Sequence, residues 1–202
     1  MQHIDGVFYI NLDSRIDRRV EIEEELRRMG ISGERFSAIK HEFGIVGCGK
    51  SHLAVLKKAR DRGLRNVLIF EDDFQFIVSK EEFWTMIDRF FSDMIQGKQF
   101  DVLMLGYNML ASQQIDDFIM KVLSAQTTSA YIISDRMYDS IINVWEDALP
   151  RLLSSGDRFL YSLDAAWKQL QSDNNWYAFV KRVGLQRPSY SDIVLKYVIY
   201  KC

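Results

Sequence analysis

Val67–Phe70 is an unbroken apolar run that ends abruptly in Glu71, Asp72 and Asp73. So short and so apolar a run is the pattern of a strand buried on both faces, as inside an α/β sheet with helices on either side. Three carboxylates at the end of such a strand are costly to desolvate. Open α/β sheets bind their ligands at the carboxyl ends of their strands, so the position that costs stability is also the one that handles chemistry. A divalent cation holding a diphosphate would account for the charge. Hard-cation sites use one or two carboxylates plus phosphate oxygens, and Glu71 and Asp73 stand at alternate positions from which an extended loop can share one ion. An acidic loop that caps the next helix, or is simply solvated, has the same pattern.

The segments around this strand fix the fold class. Val7–Leu12 reads as a first buried strand, followed by a polar turn at Asn11, Asp13 and Ser14. A helix is expected from Ile16 to Met29, with Ile22, Leu26 and Met29 on one face and Gly30 as its stop. Gly33–Ile39 is expected as a short second strand. Gly44, Gly47 and Gly49 then punctuate a flexible turn before a helix from Ser51 to Arg62. Strand, helix, strand, helix, strand over the first 70 residues implies parallel pairing with crossovers. Farther on, Phe83, Met86, Ile87, Phe90, Phe91 and Met94 recur at helical spacing and belong to the core. Phe100–Leu105 is the next strand, and an irregular stretch follows it. Lys121–Ala125 and Thr128–Ile133 read as an antiparallel pair, and Met137–Ala148 as a helix closed by Pro150.

At 202 residues with 48% hydrophobic content the chain can bury a substantial core as one mixed α/β domain. Twenty-six basic against 28 acidic residues argue against nucleic acid as a partner. Cys48 and Cys202 cannot build a disulfide framework and fit a reducing compartment. With no basic region or cleavage site near Met1, and no run of the roughly 20 apolar residues that spans a bilayer, the expectation is a cytoplasmic protein without a transmembrane segment. Oligomeric state is open; the apolar tail Ile193–Tyr200 is a strand or a docking segment.

Several side chains are candidates for chemistry. Arg15, Arg18 and Arg19 crowd the first turn of a helix whose dipole prefers anions there, so either an anionic ligand wants them or they pair with Glu21–Glu25. His52 is a capping or packing residue, or a ligand-facing one. Asp164 is a general base for an acceptor hydroxyl, or an acid that complements a helix dipole. Gly184–Asp192 is rich in turn formers and hydrogen-bonding side chains, and suits a loop closing over a polar ligand.

Together these pieces resemble glycosyltransferase family 25, which contains bacterial lipooligosaccharide galactosyltransferases and the galactosyltransferases of collagen hydroxylysine. The resemblance is carried by Phe8–Leu12 with Arg15, Asp17, Arg18 and Arg19, then Gly47–His52, then Leu68–Asp73. Gly106-Tyr107 and Thr127–Ser134 add to it, and Asp164 and the loop ending at Asp192 match less closely. It implies an α/β, GT-A type, Rossmann-like nucleotide-sugar-binding fold with a central, mostly parallel mixed sheet. Residues up to about 110 would bind the donor and the remainder the acceptor. It also implies a UDP-sugar donor and manganese, or magnesium in its place. Asp73 would be a direct metal ligand, Glu71 or Asp72 would contact ribose or sugar, and Asp192 would complete the metal shell or order the donor. Asn11 and Leu12 would hold uridine, Arg15 and Arg18 would lie near the phosphates, and Ser51 and His52 would border the donor pocket. Members invert the anomeric carbon, with Asp164 as candidate base.

The expected activity is transfer of galactose, or glucose, from UDP-galactose or UDP-glucose to a hydroxyl of a glycan or hydroxylated protein acceptor. A bacterial or viral enzyme fits better than a secretory-pathway resident. A catalytically inactive sugar-nucleotide or glycan-binding module is the alternative reading. A receiver-like signalling domain is a remote one, because Gly106 stands where the phospho-acceptor aspartate should follow Asp101–Leu105.

Overall fold

A computed structural model describes residues 2–95, 99–191 and 196–198. In chain order the first elements are β1 (Gly6–Asn11), α1 (Ile16–Arg28), β2 (Glu34–Ser37), α2 (Gly44–Asp61) and β3 (Asn66–Glu71). Next come β4 (Phe74–Phe76), α3 (Lys80–Ile95), β5 (Val102–Met104), β6 (Asn108–Gln114), β7 (Ile119–Gln126) and β8 (Ala130–Ser134). The remaining elements are α4 (Tyr138–Ser155), the single turns α5 (Arg158–Tyr161) and α6 (Leu163–Ala166), and β9 (Trp176–Phe179), β10 (Gly184–Gln186), β11 (Ser189–Ser191) and β12 (Lys196–Val198).

Eight strands form the central sheet in the order β2-β1-β3-β8-β5-β9-β7-β6. β1 pairs in parallel with β2 and β3, as β5 does with β9, while β8 and β7 run against the other six. The sheet is thus mixed and mostly parallel in strand direction, as expected of a Rossmann-like α/β fold. The antiparallel β8, inserted between β3 and β5, removes the receiver alternative, whose sheet runs one way throughout.

Strand alternation sorts the core into two layers. Val7, Tyr9, Leu68 and Phe70 point to the face covered by α1 and α3, where Ile22, Leu26, Phe83, Ile87 and Phe90 pack. Phe8, Ile10, Val67 and Ile69 point to the other face, under α2 and α4, against Val55, Leu56, Ile141 and Trp145. Helices on both faces are why β3 needs an apolar residue at every position from Val67 to Phe70.

Four sequence expectations are corrected. Gly44, Gly47 and Gly49 lie inside α2 and form no flexible turn. A Cβ on Gly47 would sit 2.6 Å from the Ile39 carbonyl oxygen, and one on Gly49 2.6 Å from Leu149 Cδ2, so these glycines serve close packing of a helix. The stretch after β5 contains β6, which pairs with β7 as a hairpin. β7 and β8 do not pair with each other; β9 and β5 stand between them. Pro150 sits within α4, which continues to Gly156 in the left-handed region at φ 70. Burial of Leu149 just before the proline and of Leu152 just after it offsets the hydrogen bond it cannot donate.

Candidate functional site

The first strands of the parallel segment deliver their ends to one place. β3 ends at Glu71, Asp72 and Asp73 form the tight turn into β4, and Asn11 closes β1 alongside. The turn is buried: Asp72 is 8% exposed and Asp73 7%. Asn11 Nδ2 donates to Asp72 Oδ2 at 2.7 Å and to the Arg15 carbonyl at 3.0 Å, tying the strand end to the start of α1.

Arg18, in the first turn of α1, is the cation that meets this charge. Its Nη1 donates to Asp72 Oδ1 at 3.0 Å and lies 3.3 Å from Asp73 Oδ2, while Nη2 reaches Ser189 Oγ at 2.5 Å and the Tyr190 carbonyl at 2.9 Å. Its Nε is buried without a hydrogen-bond partner among the described residues. Of the two readings of the arginine cluster, Arg19 follows the surface one, paired with Glu23 at 2.8 Å. Arg15 holds Asp17 at 2.8 Å and the Tyr190 carbonyl at 3.2 Å.

Glu71 belongs to a second network. Its Oε1 accepts from Thr128 Oγ1 at 2.6 Å and lies 3.3 Å from His52 Nε2, whose Nδ1 is 3.0 Å from the Tyr131 hydroxyl. His52 is therefore a fully buried bridge between sheet and site, not a helix cap. Ser51 is also fully buried; its hydroxyl donates to the Gly47 carbonyl at 2.7 Å and accepts from Ile39 N–H at 2.8 Å, shaping the wall.

The electrostatics follow from burial. Burial is the largest influence on Asp73 and the Glu71 charge adds to it, so despite Arg18 its carboxyl is pushed up to about 7. Burial also raises Asp72 against the pull of Arg18 and Asn11. Burial pushes Glu71 upward too, but the hydrogen bond and charge of His52, with Thr128, hold it below its ordinary value. Three carboxylates against one guanidinium leave an excess of negative charge that a cation would balance, and the donors are the hard oxygens that manganese or magnesium takes. The residues present fit such an ion.

A cavity of about 360 Å³ opens onto this wall and is bounded by Leu12, Arg15, Arg18, Ser51, His52 and the carboxylates at 71–73. A second, of about 310 Å³, is bounded by Thr127, Thr128, Ser162 and Asp164. Cys48, Glu71 and Gln186 border both. Asp164 thus faces the second cavity, which Glu71 borders too, while Leu12, Arg15, Arg18, Ser51, His52, Asp72 and Asp73 line the first. Asp164 lies in the first turn of α6, its Oδ1 accepting from Ser162 Oγ at 2.7 Å and its Oδ2 from Thr127 N–H at 3.3 Å. Asn11 is not among the residues that bound the first cavity and is 1% exposed. Asp192 lies outside the described residues, as do Ile193–Leu195 and Ile199–Tyr200 of the apolar tail.

The segment expected to close over a ligand does reach the acidic turn, but as strands. β10 pairs with β4 and β11 with β12, Gln186 Nε2 lies 3.4 Å from Asp73 Oδ1, and Arg187 N–H donates to the Asp73 carbonyl at 2.7 Å. Sequence reasoning missed Cys48, Thr128, Tyr131 and Gln186 as members of the site. For Cys48 a signal existed, since Cys48 and His52 share a helix face at a spacing of four.

No protein-family model matches the chain. Among curated proteins it is similar to "Inactive glycosyltransferase 25 family member 3" of Mus musculus, at 30% identity over 50% of this chain and 22% of that protein. The chain therefore spans about a fifth of the length of the curated relative it matches. Among solved structures it is similar to UDP-glucose pyrophosphorylase complexed with UDP-glucose (TM-score 0.47, 10% identity, 89% of this chain and 74% of that one). It is also similar to a glycosyltransferase involved in glycosylation of the major capsid of PBCV-1 (TM-score 0.43, 7% identity, 87% and 91%). A third is A197 from STIV (TM-score 0.44, 13% identity, 90% and 93%). These three likenesses are of overall shape and say nothing of activity.

Proposed function

We propose that the chain is a metal-dependent, inverting glycosyltransferase that moves a hexose, galactose or glucose, from a UDP-sugar to a hydroxyl of a glycan or hydroxylated protein. The observation that carries the reading is the buried Glu71–Asp73 turn at the end of β3, underbalanced in charge and open to a cavity that Arg15 and Arg18 border. The half-length similarity to a family 25 relative supports it.

A manganese or magnesium ion held by Asp73, with Glu71 or Asp72 turned to ribose or sugar, would neutralise charge on the departing diphosphate. Arg18 and Arg15 stabilise the same negative charge as it develops. Leu12 holds the base and ribose at the end of β1, Asn11 fixes the acidic turn through its bond to Asp72, and Ser51 and His52 keep the wall of α2 in position. The acceptor enters the second cavity. Its oxygen bonds to the anomeric carbon as the bond to the β-phosphate oxygen breaks, its proton passes to the Asp164 carboxylate, and UDP departs. Asp192 is proposed as a further donor to the metal.

A second reading, an inactive sugar-nucleotide-binding module, is favoured by the mouse relative's being named inactive and by Arg18, which already bonds the carboxylates. UDP release from UDP-galactose and UDP-glucose, with manganese or chelator and water as slow acceptor, separates the two. Metal-dependent release from one sugar nucleotide that is lost in Asp73→Ala supports the enzyme. Metal-dependent binding without release supports the inactive module, and neither binding nor release refutes both.

A further inference from the structure

Cys48 is a member of the site, bordering both cavities, for which the proposed transfer has no use. Its Sγ, a ring nitrogen of His52 and a Glu71 carboxylate oxygen lie within 4.8 Å of one another. We propose that these three residues bind a zinc-class transition metal ion, at a site that shares Glu71 with the acidic turn but differs from its all-oxygen donors in chemistry.

The geometry comes from two rigid elements. Cys48 and His52 stand four apart on α2 and so project from one face, while Glu71 ends β3 opposite them. Tetrahedral zinc holds S, N and O donors at about 2.0–2.3 Å, which sets neighbouring donors roughly 3.3–3.8 Å apart. His52 Nε2 and Glu71 Oε1 already lie at 3.3 Å, so closure needs a shift on the order of 1 Å from the thiol.

The surrounding hydrogen bonds have the form that metal ligands require. The Tyr131 hydroxyl is 3.0 Å from His52 Nδ1, so on metal binding an Nδ1–H donated to it frees Nε2, which otherwise bonds Glu71, to offer its lone pair to the ion. Thr128 fixes Glu71 with its 2.6 Å bond. Cys48 and Glu71 border both cavities, so a fourth position stays open to water or ligand, as in sites with three protein ligands. Thiolate with imidazole and carboxylate selects zinc or cobalt over manganese and magnesium. On binding, the Cys48 S–H bond breaks, its proton goes to solvent, and the thiolate sulfur bonds the ion. An ion there fastens α2 to β3 at the seam between the cavities, whether or not the donor reading holds.

The test is cobalt titration of the reduced, chelator-treated full chain carrying Cys202→Ser, which leaves Cys48 as the sole thiol. Expected are a thiolate-to-cobalt charge-transfer band and the visible bands of tetrahedral cobalt, saturating at one equivalent and discharged by one equivalent of zinc. Adding Cys48→Ser removes the charge-transfer band, and Tyr131→Phe weakens binding by about 10–100-fold. Zinc also protects Cys48 from alkylation by iodoacetamide in the Cys202→Ser chain, a readout that stands even if Cys48→Ser does not fold. Absence of the band, its persistence in Cys48→Ser, or alkylation at the same rate with and without zinc would overturn the proposal.

Discussion

Replacing Arg18 by methionine tests the electrostatic core of the site. Methionine keeps much of the apolar stem and removes the guanidinium that bonds Asp72 at 3.0 Å and lies 3.3 Å from Asp73. The side chains are 11% exposed on the arginine and 10% on the aspartates, so water cannot take over its role. Removing one partner of a buried pair costs about 3–5 kcal/mol, because the other charge is left uncompensated. Asp73, already pushed up to about 7, can shed its charge by taking a proton, which sets the expectation near the lower bound. About 3 kcal/mol over a urea slope of about 2 kcal/mol/M is a midpoint shift of about 1.5 M at neutral pH. The sign with pH follows. A carboxyl whose folded pKa is raised binds a proton that the unfolded chain releases, so the metal-free fold loses stability as pH climbs from the ordinary 3.8 toward 7. The Arg18→Met deficit therefore shrinks in acid, and adding Asp72→Asn restores part of it. A shift below about 0.3 M at neutral pH, or a double variant as weak as the two single effects summed, would refute the reasoning.

Other perturbations have equally definite outcomes. A Cβ on Gly184 would lie 2.0 Å from Phe74 Cζ and 2.8 Å from the Gln75 carbonyl oxygen, so Gly184→Ala pushes β10 off β4. It should cost about 2–3 kcal/mol by chemical denaturation and weaken nucleotide binding through displaced Gln186. Glu34, held by hydrogen bonds from Arg62 and then Lys58, has its pKa lowered to about 2. Its stabilisation is present above the ordinary 4.5 and is lost as pH falls through 2. Since the side chain is 41% exposed, Glu34→Gln should cost only about 0.5–1 kcal/mol at neutral pH, with the difference vanishing in strong acid on denaturation curves. Asp164→Asn should cut transfer by about 10²–10⁴-fold while leaving the UDP dissociation constant unchanged by calorimetry.

The fold was most legible where one residue's neighbours carry the signal. The faces of α1 and α3, the unbroken apolar run of β3 and the acidic end of β3 all follow from periodicity. α2 was half hidden because glycines that pack against Ile39 and Leu149 look in sequence like a turn. β6 escaped because most of its side chains are exposed, with no alternation to betray a strand. Pro150 reads as a stop because the burial of Leu152 that carries α4 past it is tertiary. At the site, the carboxylates were visible at once, but which arginine met them was not: Arg18 turns inward and Arg19 outward through helix phase relative to β3. Thr128 and Gln186 come from 57 and 113 residues along the chain from their carboxylate partners, a distance no local pattern spans.

The central claim is that the Glu71–Asp73 turn holds a metal-bridged nucleotide. Calorimetric titration of UDP into the native chain and Asp73→Asn, each with manganese and with chelator, tests it most directly. The account predicts saturable one-site binding by the native chain with manganese, weakened at least about 100-fold both by chelator and by the substitution, a loss of about 2.7 kcal/mol or more. UDP binding of equal strength with chelator, or undiminished in Asp73→Asn, would contradict it.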